Sequence, residues 1–301
     1  MSFKQLAIIG PTASGKSDLG IKIAKKIDAY ILSIDSLSIY KEIDIVAAKP
    51  SKEELQEVKH FGIDEIYPNE HFSVDIFIEL YRDVVAECKK DAKNLIIVGG
   101  TSFYLKSLLD GLSPLPKITK ETETKVQEKL KNLTTTYEEL AQKDSLYMQK
   151  IAQNDRYRIE KALLIYEASG MTPTEWFESN PAKPIITDLP IFNIDVEREI
   201  LRQRIKKRTR KMYEMGLIDE VCSLEQKYTR APNSMKAIGI VEVLDFLDGK
   251  LEKDEMLELI TTHTAQLAKR QQTFNRSQFK DITHAKLEDL EALILSRVLH
   301  T

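Results

Sequence analysis

The sequence predicts an α/β fold: a parallel sheet built on a phosphate-binding P-loop, flanked by helices and interrupted by an all-helical insertion. Three observations carry that expectation. The pattern Gly10-Pro11-Thr12-Ala13-Ser14-Gly15-Lys16-Ser17 stands between an apolar run, Leu6-Ala7-Ile8-Ile9, and an amphipathic segment from Leu19 to Ile27. That is the strand–loop–helix setting the G-x-x-x-x-G-K-[ST] motif requires. Short apolar strands then alternate with helical patterns as far as Thr101, which implies parallel strands covered on both faces. From Lys117 to Ser179 the periodicity is helical throughout, with prolines on either side.

Each element has a local reason. Glycines at 10 and 15 let the backbone curl so that successive N–H groups face one phosphate cluster. The helix N-terminus and Lys16 add positive charge, and the Ser17 hydroxyl can ligate Mg²⁺. Ala29 to Ser33 reads as a buried strand ending in Ile34-Asp35-Ser36, which puts a carboxylate at the sheet edge where ligands bind. Ser51-Lys52-Glu53-Glu54, after Pro50, has the shape of a capping box. A longer helix follows Ser73, with Phe77, Leu80, Tyr81, Val84, Val85 and Cys88 on one face. Asn94 to Val98 is a further strand, closed by Gly99-Gly100-Thr101.

The character changes at Leu112-Ser113-Pro114-Leu115-Pro116. One helix opens at Asn154-Asp155 and ends near Gly170; another starts at Thr172-Pro173. Pro181, Pro184 and Pro190 mark the return, and Pro190 to Ile194 reads as a sheet strand. The expected organisation is a core over 1–115, a helical insertion over 116–186 and the core resumed over 187–301. A long basic helix spans Glu197 to Met215 and stops at Gly216. All that follows reads as helical, including Asp254 to Arg276 and Leu287 to Leu299.

Bulk properties narrow the class. At 42% hydrophobic and 30% charged residues the chain is ordinary for a soluble protein, and no apolar run approaches a membrane span. The N-terminus enters a strand almost at once, so no leader segment is expected. Cys88 and Cys222 lie far apart in helical patterns and are expected as buried, reduced thiols. His60, His71, His263, His284, His300 and Trp176 show no metal-ligand spacing. A net charge of −3 excludes a protein basic all over but not a local basic face.

Asp35 has two functional readings: a carboxylate that helps hold Mg²⁺ through water, or a base that takes a proton from a nucleophile. Thr101 can hydrogen-bond a ligand oxygen or cap the helix that follows. Arg202 to Lys211 is densely basic but spread around a helix, and a second basic segment, Lys269 to Arg276, carries an aromatic. Two basic helices point to nucleic acid or polyphosphate.

Taken together these pieces resemble the tRNA dimethylallyltransferases, or isopentenyl-tRNA transferases, over almost the whole chain. The resemblance rests on residues 10–17; on Ser33 to Tyr40 with Asp44-Ile45 and Ala48-Lys49-Pro50; and on His60-Phe61-Gly62-Ile63-Asp64. It continues through Val98 to Thr101, Tyr104-Leu105-Lys106 and Asp110 to Ser113, then Asn154-Asp155, Arg158-Ile159, Met235 to Gly239 and Gln266 to Gln271. It implies transfer of the five-carbon group of dimethylallyl diphosphate to N6 of the adenosine just 3′ of the anticodon, with diphosphate released. Asp35 would be the base, and Thr101 and Arg208 would support the diphosphate. Residues 10–17 would cradle it with Mg²⁺, to which Ser17 would be a ligand. Contacts to the anticodon stem-loop of tRNA would come from Asp35, Ser36, Leu37, Ser38, Thr101, Tyr157, Arg158, Lys161, Lys269, Arg270, Gln271 and Arg276. A cytoplasmic monomer with no membrane partner is the matching expectation.

Departures from the family pattern fall at Val46 and Ala47, where Gly-Thr is usual, and at Arg156-Tyr157 with Lys161. Others are Ala265, Phe274 and, in the insertion, Glu123. Two rival classes share the loop: a small-molecule kinase using ATP, and a non-catalytic RNA-binding NTPase in which the loop is a switch.

Overall fold

The computed structural model describes residues 3–299; His300 lies outside them. The chain divides into two compact units, one made of residues up to 106 together with those from 188 onward, the other of Ser107–Thr187. The first holds a sheet of β1 (Gln5–Ile9), β2 (Ala29–Ser33), β3 (His60–Phe61), β4 (Asn94–Gly99), β5 (Ile191–Asp195) and β6 (Ile282–Lys286). Their order is β3-β2-β4-β1-β5-β6, with every pairing parallel. Central strands read as continuous apolar runs because helices cover both faces: Leu6 to Ile9 and Leu95 to Val98 are all buried.

Two strands depart from the sequence expectation. β6 lies in the stretch read as wholly helical, and it pairs with β5 from Ile191↔Ile282 to Asp195↔Lys286. As an edge strand with none of its five residues buried, Ile-Thr-His-Ala-Lys carries little of the apolar signal that marks a central strand. β3 is only two residues long, paired with Ile31 and Leu32 of β2.

Helices form where their caps and apolar faces are written. α1 (Lys16–Ile27) starts after Gly15, which has φ 94°, and buries Leu19, Ile23, Ala24 and Ile27. α2 (Lys52–Glu57) has the capping box of Ser51 and Glu54. α3 (Val74–Lys90) is capped by Ser73 and buries Phe77, Tyr81, Val84 and Cys88; α4 (Ser102–Asp110) follows β4. Burial pushes the Cys88 thiol up to about 11. Both cysteines are free, but Cys222 is only partly buried, against the expectation, because it lies at the margin of its helix's apolar stripe.

The second unit carries α5 (Lys120–Lys129), α6 (Leu133–Lys143), α7 (Ser145–Met148), α8 (Arg156–Ser169) and α9 (Pro173–Ser179), with no strand among its described residues. It has its own core, including Val126, Leu130, Leu140, Met148, Ile159 and Leu163. Buried Asp144 caps α7 and takes both the N–H and the hydroxyl of Thr174. At the unit's base the Leu108 carbonyl accepts from Ile185 and Ile186.

The chain returns through β5 to α10 (Arg198–Glu214), α11 (Leu217–Tyr228), α12 (Ile240–Leu247), α13 (Lys253–Gln278) and α14 (Leu287–Leu299). A further apolar cluster joins Ile39, Tyr40, Ile43 and Val46 to Met212, Leu217, Val221, Met235, Ile240 and Ile260. It fixes the segment after β2 against the C-terminal helices. Among the described residues no helix is long and apolar enough to cross a membrane.

Candidate active site

Parallel register brings three loops together at one sheet edge. Ile9 of β1 lies opposite Gly99 of β4, and Ser33 of β2 opposite Val98, so Gly10, Asp35 and Thr101 all emerge on the same side. Hydrogen bonds within the protein hold the phosphate loop in shape. Ser14 N–H donates to the Pro11 carbonyl (3.3 Å), and Thr12 N–H donates to Gln271 Oε1 (2.8 Å) from α13. Lys16 Nζ reaches the Pro11 carbonyl at 3.3 Å. Its pKa is lowered to about 8 by burial, a shift that Asp35 opposes and Arg208 reinforces. An ammonium destabilised in this way gains from any anion brought beside it.

Helix α10 supplies two guanidinium groups one turn apart. Arg208 Nη1 donates to Thr12 Oγ1 (3.2 Å) and Nη2 to the Ala47 carbonyl (3.5 Å). Arg204 Nη1 donates to the Ser14 carbonyl at 3.2 Å. Spacing i, i+4 puts both on one helix face; Arg208 is half-buried, whereas Arg204 is exposed like Arg202, Lys206, Lys207, Arg210 and Lys211. Burial lowers the Arg208 pKa and Asp35 raises it; a guanidinium stays charged under such shifts.

Asp35 is oriented by its own backbone. Its Oδ1 accepts from Leu37 N–H (3.0 Å) and Ser38 N–H (3.4 Å), an Asx turn that aims the carboxylate along the sheet edge. Thr101 Oγ1 accepts from Ser36 N–H at 3.2 Å, tying the end of β4 to the same turn. Gly99 is packed so closely that a Cβ there would stand 2.9 Å from the Ile34 carbonyl carbon and 3.1 Å from Asp35 N.

These groups border three spaces that share lining residues. A cavity of about 440 Å³ has Thr12, Asp35, Thr101 and Arg208 at one end and an apolar wall that includes Val46, Tyr104 and Met212. A second, of about 450 Å³, lies over Gly15, Lys16, Ser17, Arg204 and Arg208. A small space of about 60 Å³ shares Thr12, Asp35 and Arg208 with the first and Lys16, Ser17 and Arg208 with the second, and is also lined by Gly99. Arg208 borders all three spaces. Tyr104, stacked on Phe77 with centroids 4.8 Å apart, has its hydroxyl pushed up to about 12 by burial and remains a donor. The arrangement can hold a small polyanion on cations and loop amides, seat an apolar group beside it, and present a carboxylate to a third group. Ser17 is exposed at the head of α1, and Asp18 and Glu54 share its cavity. Such hard oxygen donors suit Mg²⁺, although no cluster of three metal-ligating side chains exists among the described residues.

The other sequence candidates divide. Ser36 and Leu37 line the main cavity; Ser38 is buried and borders the small space. Gln271 turns inward to Thr12, whereas Lys269, Arg270 and Arg276 on the same helix are exposed. Tyr157, Arg158 and Lys161 sit together on α8 of the helical unit, with Tyr157 70% exposed and Lys161 Nζ over its ring. His60 Nδ1 bonds the Val58 carbonyl, and burial lowers its pKa. Sequence reasoning missed Arg204, whose signal was its position one turn before Arg208. It also missed Lys49, buried between Asp44 and Asp64 (2.6 Å each).

A parallel sheet, a phosphate loop after β1 and an acid after β2, one strand removed across β4, define a P-loop α/β protein. More narrowly, the chain belongs to the IPP transferase family, whose model matches residues 38–278. It is 66% identical to a tRNA dimethylallyltransferase of Sulfurimonas denitrificans, over 97% of this chain and 98% of that one. Among solved structures it is similar to the tRNA isopentenylpyrophosphate transferase of Bacillus halodurans, with TM-score 0.72 and 27% identity over 99% of this chain and 96% of that one. It is also similar to a eukaryotic dimethylallyltransferase acting on tRNA, with TM-score 0.84 and 25% identity over 97% of this chain and 77% of that one.

Proposed function

We propose that the chain transfers the dimethylallyl group of dimethylallyl diphosphate to N6 of the adenosine just 3′ of the anticodon in tRNA. The observation that carries this reading is the shared border of Asp35 with Thr12, Lys16 and Arg208 beside an apolar-walled cavity. The exocyclic amine of adenine is a poor nucleophile, so the allylic carbon must become strongly electrophilic as its bond to the diphosphate oxygen breaks. Lys16, Arg208, Arg204 and the loop amides offset the charge that grows on the departing diphosphate. The N6–carbon bond forms, Asp35 takes the N6 proton and diphosphate leaves.

Mg²⁺ belongs to the same proposal. Ser17 would hold it together with phosphate oxygens, and bound there it would neutralise part of the diphosphate charge. The patch of Tyr157, Arg158 and Lys161, and the exposed Lys269, Arg270 and Arg276, would meet tRNA backbone and unstacked bases. A cytoplasmic monomer completes the reading.

Mixing the protein with unmodified tRNA, Mg²⁺ and dimethylallyl diphosphate tests it. The tRNA should gain the mass of one dimethylallyl group, mapped to the anticodon loop, with one diphosphate released per transfer. Unmodified tRNA, with ADP released when ATP is supplied, would replace this reading with a kinase or a nucleotide switch.

A further inference from the structure

We propose that Glu220 is a positioning residue for Arg208, acting through the backbone of residues 44–47 without touching the ligand; the inference rests on the prenyl-transfer reading. Glu220 lies in the first turn of α11, and three successive N–H groups converge on its carboxylate. Oε2 accepts from Asp44 (2.9 Å) and Ile45 (2.7 Å), and Oε1 accepts from Val46 (2.9 Å). The next residue, Ala47, gives its carbonyl to Arg208 Nη2, whose Nη1 holds Thr12 of the phosphate loop. Hydrogen bonds at both ends of one backbone segment thus link α11 to the cation beside the phosphate site.

The far end of the loop is anchored separately. Lys49, its side chain 5% exposed, bridges Asp44 and Asp64 and donates to the Tyr40 carbonyl at 2.7 Å. Between the two anchors Ala48 is held at φ 45°, a left-handed conformation that a non-glycine residue keeps only where its surroundings impose it. Val46 meanwhile packs toward Gly239, where a Cβ would stand 3.3 Å away, so the same segment forms part of the cavity wall. Removing the charge at Glu220 leaves amides without an acceptor and lets the strained segment relax. The Ala47 carbonyl then moves off Arg208. The anchoring of α11 itself does not depend on this carboxylate, because Leu217, Val221 and Leu224 bury its apolar face.

A double-mutant cycle tests the inference. Glu220→Gln keeps the shape of the side chain but turns an amide group toward donors. It should lower kcat/KM for dimethylallyl diphosphate by about tenfold or more, with a matching loss in affinity for inorganic diphosphate. Affinity for tRNA should stay within about twofold, and in an Arg208→Ala background the same substitution should cost less than about twofold. Equal losses in both backgrounds would make Glu220 a merely structural residue and overturn the inference. If Glu220→Gln is too unstable to assay, Glu220→Asp, which keeps the charge on a shorter arm, is carried through the same cycle. Failure of the wild-type protein to modify tRNA would refute the reaction, while the cycle on diphosphate affinity would still decide the role of Glu220.

Discussion

Gly99→Ala probes how tightly the Asp35 carboxylate, the proposed base, is held. The substitution adds one methyl group at a position whose φ lies outside the left-handed region, so the backbone itself accepts alanine. The new Cβ would stand 2.6 Å from Ile34 Cγ1, 2.9 Å from the Ile34 carbonyl carbon and 3.1 Å from Asp35 N. Carbon–carbon contact becomes comfortable near about 3.5 Å, so the Ile34-Asp35 backbone must retreat by about half an ångström or more. Ile34 is 1% exposed, which leaves little room for the retreat. Overpacking of this kind costs about 1–3 kcal/mol of stability. The larger effect falls on chemistry, because misplacing a reacting group by about 1 Å costs on the order of 100-fold in rate.

Gly100→Ala is the comparison, because it disturbs the Gln271 contact to Thr12 of the phosphate loop and leaves the Asp35 backbone alone. Its Cβ would meet Gln271 Nε2, the end of a flexible side chain that can swing aside. Single-turnover transfer to tRNA, measured with saturating dimethylallyl diphosphate, should therefore fall by between about tenfold and 100-fold for Gly99→Ala. Gly100→Ala should fall less. Thermal melting should place Gly99→Ala a few degrees below wild type but folded. Near-normal turnover by Gly99→Ala would show that the strand end does not set the position of Asp35.

Other expectations address single groups. Asp35→Asn keeps an oxygen for the Leu37 amide, so the turn survives, yet transfer should fall by about 10²–10⁴ while diphosphate affinity holds; retained turnover would remove Asp35 as the base. Arg204→Ala should weaken binding of an unreactive allyl diphosphate analogue by about three- to tenfold, less than Arg208→Ala, because Arg204 is the more exposed of the two. An unchanged calorimetric affinity would make Arg204 a brace for the loop only. Lys16 is the pH-sensitive member, since its lowered pKa of about 8 means that the charge is present below that pH and lost above it. Analogue affinity should hold up to about pH 8 and then fall by up to about tenfold per unit, with the fall abolished in Lys16→Arg. An affinity that stays flat through that range in wild type would place the functional charge elsewhere.

Much of the sheet unit was readable because its signals are local. The loop at 10–17 sits between a strand and a helix, the box at Ser51 and Glu54 forms as written, and Asp35 stands at the end of its strand. The helical character of the 107–187 unit followed from periodicity and caps such as Asp155 and Thr172. The rest depended on partners distant in the chain. β6 is a strand because β5 offers it an edge, not because its residues insist on it. In the basic run of α10, only three-dimensional packing separates the two arginines that reach the loop from the other cations of the run. Gln271 is expected from the sequence as a tRNA contact, and its bond to the phosphate loop shows only when α13 is laid beside Thr12. Glu220 gives no sign of its role in sequence, since its three donors lie some 175 positions away.

The base of the helical unit closes on itself: the Leu108 carbonyl binds the amides of both Ile185 and Ile186, and Gly111 rests against the backbone of Lys183. The last turn of α4 and the chain returning after α9 are stapled there into a neck. Beyond such a neck the length of the excursion is nearly free, since closing a longer loop costs only slowly more entropy. Descendants of this chain can lengthen, trim or exchange the helices there as a cassette, and the hydrogen-bond register of the parent sheet need not notice.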